Sequence, residues 1–217
     1  MGFFLTFEGI EGSGKTVQAE RFCEFLKREG FSCLLTREPG GTPLGEELRT
    51  LLLHPGTGSL DPLTEVFLFE AARREHVVRV INPALEEGKV VLCVRFTDST
   101  LAYQGWGRGL DLSLLRFLNE RASGGLTPDC TVLLDVDPRI GLSRSLKSHA
   151  FSEIRFELEF QRELFLLEQI RRGYLELARA EPDRFVVVSA DCSEDKVFQE
   201  LVEKVLPRLY TLRRRDG

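Results

Sequence analysis

No uninterrupted apolar stretch of the 217-residue chain is long enough to span a bilayer, and no basic start leads into a signal-type apolar segment. These absences argue against a membrane-spanning or exported protein and set the expectation of a cytoplasmic one. Positive charge is also in short supply: 29 Lys and Arg stand against 34 Asp and Glu, a formal net charge of -5. A general nucleic-acid or anionic-membrane binder is not expected, and any positive field has to be local. The one basic run, Arg213, Arg214 and Arg215, reads as a solvated tail. Five cysteines (Cys23, Cys33, Cys93, Cys130, Cys192) form neither a CxxC pair nor a Cys/His metal spacing. They are expected as reduced thiols, with Cys33, Cys93 and Cys130 in buried strands. There is no internal repeat, low-complexity tract or interdomain linker, so residues 1–217 read as one unit, and a 42% hydrophobic content suffices for its core.

What is present alternates. Residues 3–8, 33–36, 90–94, 131–136 and 185–189 are short β-like runs, separated by helical spacing at 17–28, 43–53, 63–87, 112–121, 140–147, 153–180 and 194–209. The helix over 63–87 is expected to continue through Pro83 or to bend there. Such alternation predicts an α/β fold, a parallel sheet with helices on both faces. Gly- and Thr-rich stretches at 37–45 and 105–109 are expected between elements. The opening Met1-Gly2-Phe3-Phe4-Leu5-Thr6 formally matches an N-myristoylation pattern, but it reads as a buried first strand leading into a phosphate loop.

That loop is Gly9-Ile10-Glu11-Gly12-Ser13-Gly14-Lys15-Thr16, a GxxxxGK[ST] match placed after a strand and opening a helix. Glycines let backbone N–H groups wrap phosphates, and the helix N-terminus adds its dipole. Lys15 is placed to reach the β and γ phosphates of ATP, and the Thr16 hydroxyl to bind Mg²⁺. A P-loop alone does not separate an ATPase, a GTPase and a small-molecule kinase.

Three further segments carry a resemblance: Thr36-Arg37-Glu38-Pro39-Gly40-Gly41-Thr42-Pro43-Leu44-Gly45, Phe69-Glu70-Ala71-Ala72-Arg73, and Arg95-Phe96-Thr97-Asp98-Ser99-Thr100-Leu101-Ala102-Tyr103-Gln104-Gly105. In this order they resemble the bacterial thymidylate kinases, P-loop nucleoside monophosphate kinases. The resemblance implies a three-layer P-loop NTPase fold with a five-stranded parallel sheet, ATP-dependent phosphorylation of dTMP in dTTP biosynthesis, Mg²⁺, and a homodimer. By the same resemblance Phe69 stacks on thymine, Arg73 and Gln104 contact its polar edge with Thr100 beside them, and Tyr103 walls the sugar. Arg49 and Arg95 grip the acceptor phosphate, and Glu11 approaches the 3′-hydroxyl. Glu38 is left open between a structural and a binding role. The residue types suit these tasks: an aromatic face holds a base, an amide and a guanidinium read its edge, and arginine grips phosphate through a planar fork.

Two departures stand out. Val94 occupies the position where the family has an aspartate near the metal and acceptor phosphate, and Glu8 and Asp98 are the neighbouring carboxylates that would compensate. The lid, about residues 139–155, is poor in arginine. With Gly12 in place of a basic P-loop residue, the family pattern draws its transition-state cations from that lid, where Arg144 and Arg155 are the candidates beside Lys147 and His149; both arginines also fit solvated or ion-paired helix positions. Two alternatives follow. One is a kinase for another nucleotide such as dUMP, against which the complete Phe69, Arg73, Thr100 and Gln104 set counts. The other is a catalytically weak nucleotide-binding homologue, for which Val94 and the sparse lid count.

Overall fold

The run Phe3–Glu8 (β1) is buried at all six positions, as a strand covered on both faces must be. In the computed structural model, which describes residues 2–53, 60–146 and 153–213 (side chains at 146, 153–160 and 211–213 excepted), this strand takes the centre of a five-stranded sheet. Its companions are Cys33–Arg37 (β2), Val90–Val94 (β3), Cys130–Asp135 (β4) and Phe185–Ser189 (β5), in the order β2-β3-β1-β4-β5 with every pairing parallel. The five strands and the α/β class follow the sequence expectation to within a residue or so at each end.

Helices supply the crossovers. They are Lys15–Arg28 (α1), Pro43–Leu53 (α2), Pro62–His76 (α3), Asn82–Glu86 (α4), Thr97–Thr100 (α5), Leu112–Ser123 (α6), Pro138–Leu146 (α7), Glu153–Ala180 (α8) and Glu194–Arg213 (α9). Phe3, Leu5 and Phe7 of β1 alternate into the larger apolar cluster with Phe22 and Leu26 of α1 and Leu167, Ile170 and Tyr174 of α8. Phe4 points the other way, onto Val77, Ile81, Val91, Cys93 and Phe96. This is the period-2 alternation of a strand sandwiched between two layers.

One expectation resolves and two change. The helical run continues through Pro83: it passes through a π-type stretch, Val77–Ile81, and re-forms as α4 with Pro83 in its first turn, where a missing N–H costs least. Gly105 and Gly107 are not in a loop; they end a second π-type turn, Leu101–Gly107, which continues α5. A Cβ at Gly105 would meet Leu112 Cδ2 at 2.4 Å and one at Gly107 would meet Ile170 Cγ1 at 3.0 Å, so close packing rather than loop freedom requires these glycines. Cys33 is only half-buried because β2 lies at the sheet edge, whereas Cys93 and Cys130 are fully enclosed, and all five thiols are free.

Candidate active site

The loop Gly9–Gly14 leaves the C-terminal end of the central strand, where open α/β sheets place their ligand crevice. Gly9, Gly12 and Gly14 have φ of 139°, 70° and 87°, conformations that L side chains rarely adopt. Lys15, on the first turn of α1, folds back over the loop and donates from Nζ to Gly9 O (2.9 Å), Ile10 O (2.6 Å) and Ser13 Oγ (3.3 Å). Burial, then the Arg95 charge, pushes its ammonium down to about 7, against the pull of Glu11 and Glu8. Thr16, one residue on, is exposed.

Beside this loop lies a cavity of about 300 Å³ whose wall includes Glu11, Glu38, Arg49, Phe69, Arg73, Arg95, Thr100, Tyr103 and Gln104. All nine residues that the sequence suggested for the acceptor therefore surround one space, although they come from the P-loop, the β2–α2 loop, α2, α3, the end of β3 and the α5 turn. Phe69 and Arg73, four apart on α3, share a helix face as their spacing predicts. Pro39, Leu53, Glu65, Phe96 and Ser99 complete the wall and were not foreseen. A second cleft of about 430 Å³, between α7 and α8, contains none of these residues and is rimmed by matched ion pairs such as Arg171–Asp135 and Arg179–Glu176.

Arg95 is the hinge between loop and cavity. Its φ of 69° makes it the one non-glycine residue at positive φ among the described residues, and such strain persists only where its surroundings enforce it. Here they do: Arg95 N donates to Phe7 O (3.0 Å), and the next amide, Phe96 N, donates to the buried Glu8 carboxylate (2.7 Å). The Arg95 guanidinium donates to Glu11 Oε1 (3.0 Å), the Tyr103 hydroxyl (3.0 Å) and Ser99 Oγ (3.2 Å) and lies over the Tyr103 ring. Tyr103 in turn donates to the Glu11 carboxylate at 2.8 Å. Burial opposes ionisation of Glu11, but Arg95, Lys15 and the Tyr103 hydroxyl together hold its carboxyl below the usual range. Arg49, which donates to Pro39 O (3.0 Å), brings a second guanidinium; burial and then the neighbouring Arg37 charge lower its proton affinity. The cavity wall balances Arg49, Arg73 and Arg95 against Glu11, Glu38 and Glu65.

Arg73 is only 2% exposed, and each of its five N–H groups is engaged. Nε donates to Glu38, Nη1 to Glu70 and Asn119, and Nη2 to Phe96 O (3.2 Å) and Thr100 Oγ1 (3.0 Å). Glu38 thus has a structural task, holding Arg73 (2.8 Å) and His76 (3.1 Å), and lines the cavity as well.

The two carboxylates proposed to compensate for Val94 are both otherwise occupied. Asp98 is turned away, held by Arg184 at 2.7 and 2.9 Å, while Glu8 accepts from Phe96 N, Ser99 Oγ (2.7 Å) and Tyr174 Oη (2.8 Å). Val94 is 9% exposed, a member of the larger apolar cluster, and pairs in register with Phe7 and Arg37. Of the lid candidates, Arg144 lies beside the P-loop, donating to Ala190 O (2.9 Å) and Gly12 O (3.4 Å). The Arg155 side chain, Lys147 and His149 fall outside the described residues. The helix carrying Arg144 touches the loop backbone to backbone: a Cβ on Gly12 would overlap the Gly141 carbonyl, and one on Gly141 would meet Glu11 O at 2.6 Å.

Tyr174, Ser99, Asn119 and Glu65 escaped the sequence reading because each acts on a residue that is distant in the chain. A Tyr on a long amphipathic helix carries no local signal of a buried partner at Glu8.

Comparison with known proteins gives the family. The family model described as thymidylate kinase matches residues 7–201. The thymidylate kinase of Desulfosudis oleivorans is 50% identical over 192 residues, 86% of this chain and 88% of that one. That of Geobacter sulfurreducens is 45% identical over 210 residues, 96% and 99% of the two chains. The crystal structure of thymidylate kinase from Ehrlichia chaffeensis superposes with a TM-score of 0.76 at 37% identity, covering 94% of this chain and 98% of that one. With a family model that matches residues 7–201 and relatives that align over nearly its whole length, the chain belongs to the thymidylate kinase family.

Proposed function

We propose that this chain transfers the terminal phosphate of ATP to dTMP, a step toward dTTP, acting as one catalytic unit over residues 1–217. The observation that carries the reading is the convergence of all nine sequence-nominated acceptor residues on one cavity whose wall includes Glu11 of the P-loop. Phe69 offers a face for thymine, Gln104 an amide for its edge, and Tyr103 with Glu11 a wall and an acceptor for the sugar and its 3′-hydroxyl. Arg73 frames the base pocket and reaches a base oxygen only by sharing the N–H that now goes to Thr100. Arg95 and Arg49 bind the acceptor phosphate.

A nucleoside monophosphate is largely ionised near neutral pH, its second pKa being about 6, so its oxygen attacks without a protein base. Catalysis then rests on alignment and charge neutralisation. Lys15 regains its full charge against phosphate oxygens. Arg144 needs only to leave two carbonyls to approach the transferred group, and Arg155 is its companion in the lid. Mg²⁺ fits as an ion carried by the nucleotide: among the described residues no three His, Cys, Asp or Glu side chains gather to hold a metal, and the exposed Thr16 hydroxyl is the protein ligand beside phosphate oxygens and water. When bound, the ion would neutralise charge on the β and γ phosphates.

No described helix is long and apolar enough to cross a membrane, which accords with a cytoplasmic enzyme. A homodimer is supported by exposed Phe67 on α3 and Leu114 and Phe117 on α6, two helices that pack together. The test is a coupled assay of ADP formation with dTMP, dUMP, dGMP and no acceptor. Turnover only with the pyrimidine nucleotides, led by dTMP, is expected; acceptor-independent ADP formation or none at all would overturn the reading.

A further inference from the structure

Gln104 is 4% exposed in the cavity wall, and its amide has one protein partner: Nε2 donates to Glu65 Oε1 at 2.7 Å. Glu65 stands in the first turn of α3, and its other oxygen accepts from Arg108 at 3.2 Å. A carboxylate only accepts hydrogen bonds, so it obliges the amide to face it with nitrogen. The amide oxygen then stays on the cavity side, and Gln104 Oε1 makes no hydrogen bond among the described residues. Turning the amide over would set carbonyl oxygen against carboxylate oxygen, two acceptors in contact at a part-buried site.

This fixed polarity matches one kind of pyrimidine edge. Thymine and uracil carry a donor at N3 flanked by acceptor oxygens; cytosine has an acceptor at N3 and a donor amine at position 4. An amide locked with its oxygen inward pairs with the first and meets the second acceptor to acceptor. Arg73 does not duplicate the reading, since its N–H groups are all engaged by Glu38, Glu70, Asn119, Phe96 and Thr100.

We propose that Glu65 is a specificity-determining residue: by orienting the Gln104 amide it selects pyrimidine nucleotides with an N3–H and rejects cytosine nucleotides. The inference rests on the reading above that Gln104 faces the base, and the experiment separates the two. In Glu65→Gln the new side chain offers Gln104 either a donor or an acceptor, so the amide is free to turn. The dTMP to dCMP ratio of kcat/KM should fall about tenfold or more, because a mispaired polar edge is what a built hydrogen-bonding site rejects, while the dTMP to dUMP ratio stays within about twofold. Glu65→Asp, which keeps an acceptor-only group, should hold the dTMP to dCMP ratio near its starting value and remains informative should the Gln variant fold poorly. A uniform loss with all three nucleotides, or a ratio that collapses equally in both variants, would show that Glu65 merely supports α3. Gln104→Leu is the separating control: if it collapses the dTMP to dCMP ratio while Glu65→Gln leaves it intact, the orienting role falls and base reading by Gln104 stands. If Gln104→Leu leaves the ratio unchanged, both fall.

Discussion

Glu8→Gln should shift the pH dependence of folding more than it shifts the fold. Glu8 ends the central strand with none of its surface exposed and accepts from Phe96 N, Ser99 Oγ and Tyr174 Oη. Burial, and then the Asp98 charge, pushes its carboxyl from an ordinary 4.5 up to about 7, against the Ser99 and Tyr174 hydrogen bonds and the Arg95 charge. An acid raised in this way favours the protonated form in the folded state. Its contribution to stability is therefore complete below about pH 4.5 and is lost as pH rises through 7. The gap between those values corresponds to about 3 kcal/mol as an upper figure. Glutamine never ionises, so between pH 5 and pH 8 the stability of the variant relative to the parent should improve by about 2–3 kcal/mol. The constant cost of placing an amide against Ser99 and Tyr174 cancels in that difference. Urea unfolding at pH 5, 6.5 and 8 measures it, followed by fluorescence of the single tryptophan, Trp106, whose indole lies against Gly173 of α8. A difference between the two proteins that is the same at all three pH values would refute the reasoning.

Lys15→Ala should abolish nearly all phosphate transfer with little change in melting temperature, since no other P-loop side chain neutralises the β and γ phosphates; a folded variant with near-normal ADP formation would contradict the phosphate site. The 5-methyl group of thymine beside Phe69 should favour dTMP over dUMP by about 1–3 kcal/mol in kcat/KM, and equal or better turnover of dUMP would sink that assignment. Val94→Asp should lower the Mg²⁺ concentration for half-maximal rate while leaving the KM for dTMP unchanged. Because Val94 sits in the apolar cluster, it should also cost about 1–3 kcal/mol of stability, and a lower melting temperature with no gain at low Mg²⁺ would refute a metal-site role.

The strand pattern and the P-loop were legible because both are local: β3 is a continuous apolar run, β1 is one but for Thr6 and Glu8, and the Gly9–Thr16 spacing encodes backbone geometry directly. The acceptor residues were legible only through family likeness, since nothing in the spacing of Phe69 and Gln104 says that α3 and the α5 turn meet. The segment from Thr97 to Gly107 went unread as helix because its threonines and glycines are poor helix formers. Tertiary contacts override that weakness: Glu8 pins Phe96 N at the start, and Ile170 and Leu166 of α8 close over Gly107. Asp98 illustrates the same limit. Its place beside Arg95 in sequence suggested the phosphate site, but the residues of the α5 turn face several directions, and Arg184, 86 positions away, claims it.

The backbone contact between Gly12 and Gly141 bears on how such an enzyme changes over time. A cation placed inside the P-loop at position 12 would need a side chain where the Gly141 carbonyl already lies, on a residue whose φ of 70° an L amino acid resists. The converse also holds, since a side chain at 141 would press on the Glu11 carbonyl. Supplying the transition-state charge from the loop and supplying it from the lid are thus not interchangeable modules in this chain. Passing from one to the other requires α7 to move before the new residue fits, so single substitutions at either glycine lead through a damaged intermediate, and the sparse lid has no one-step replacement.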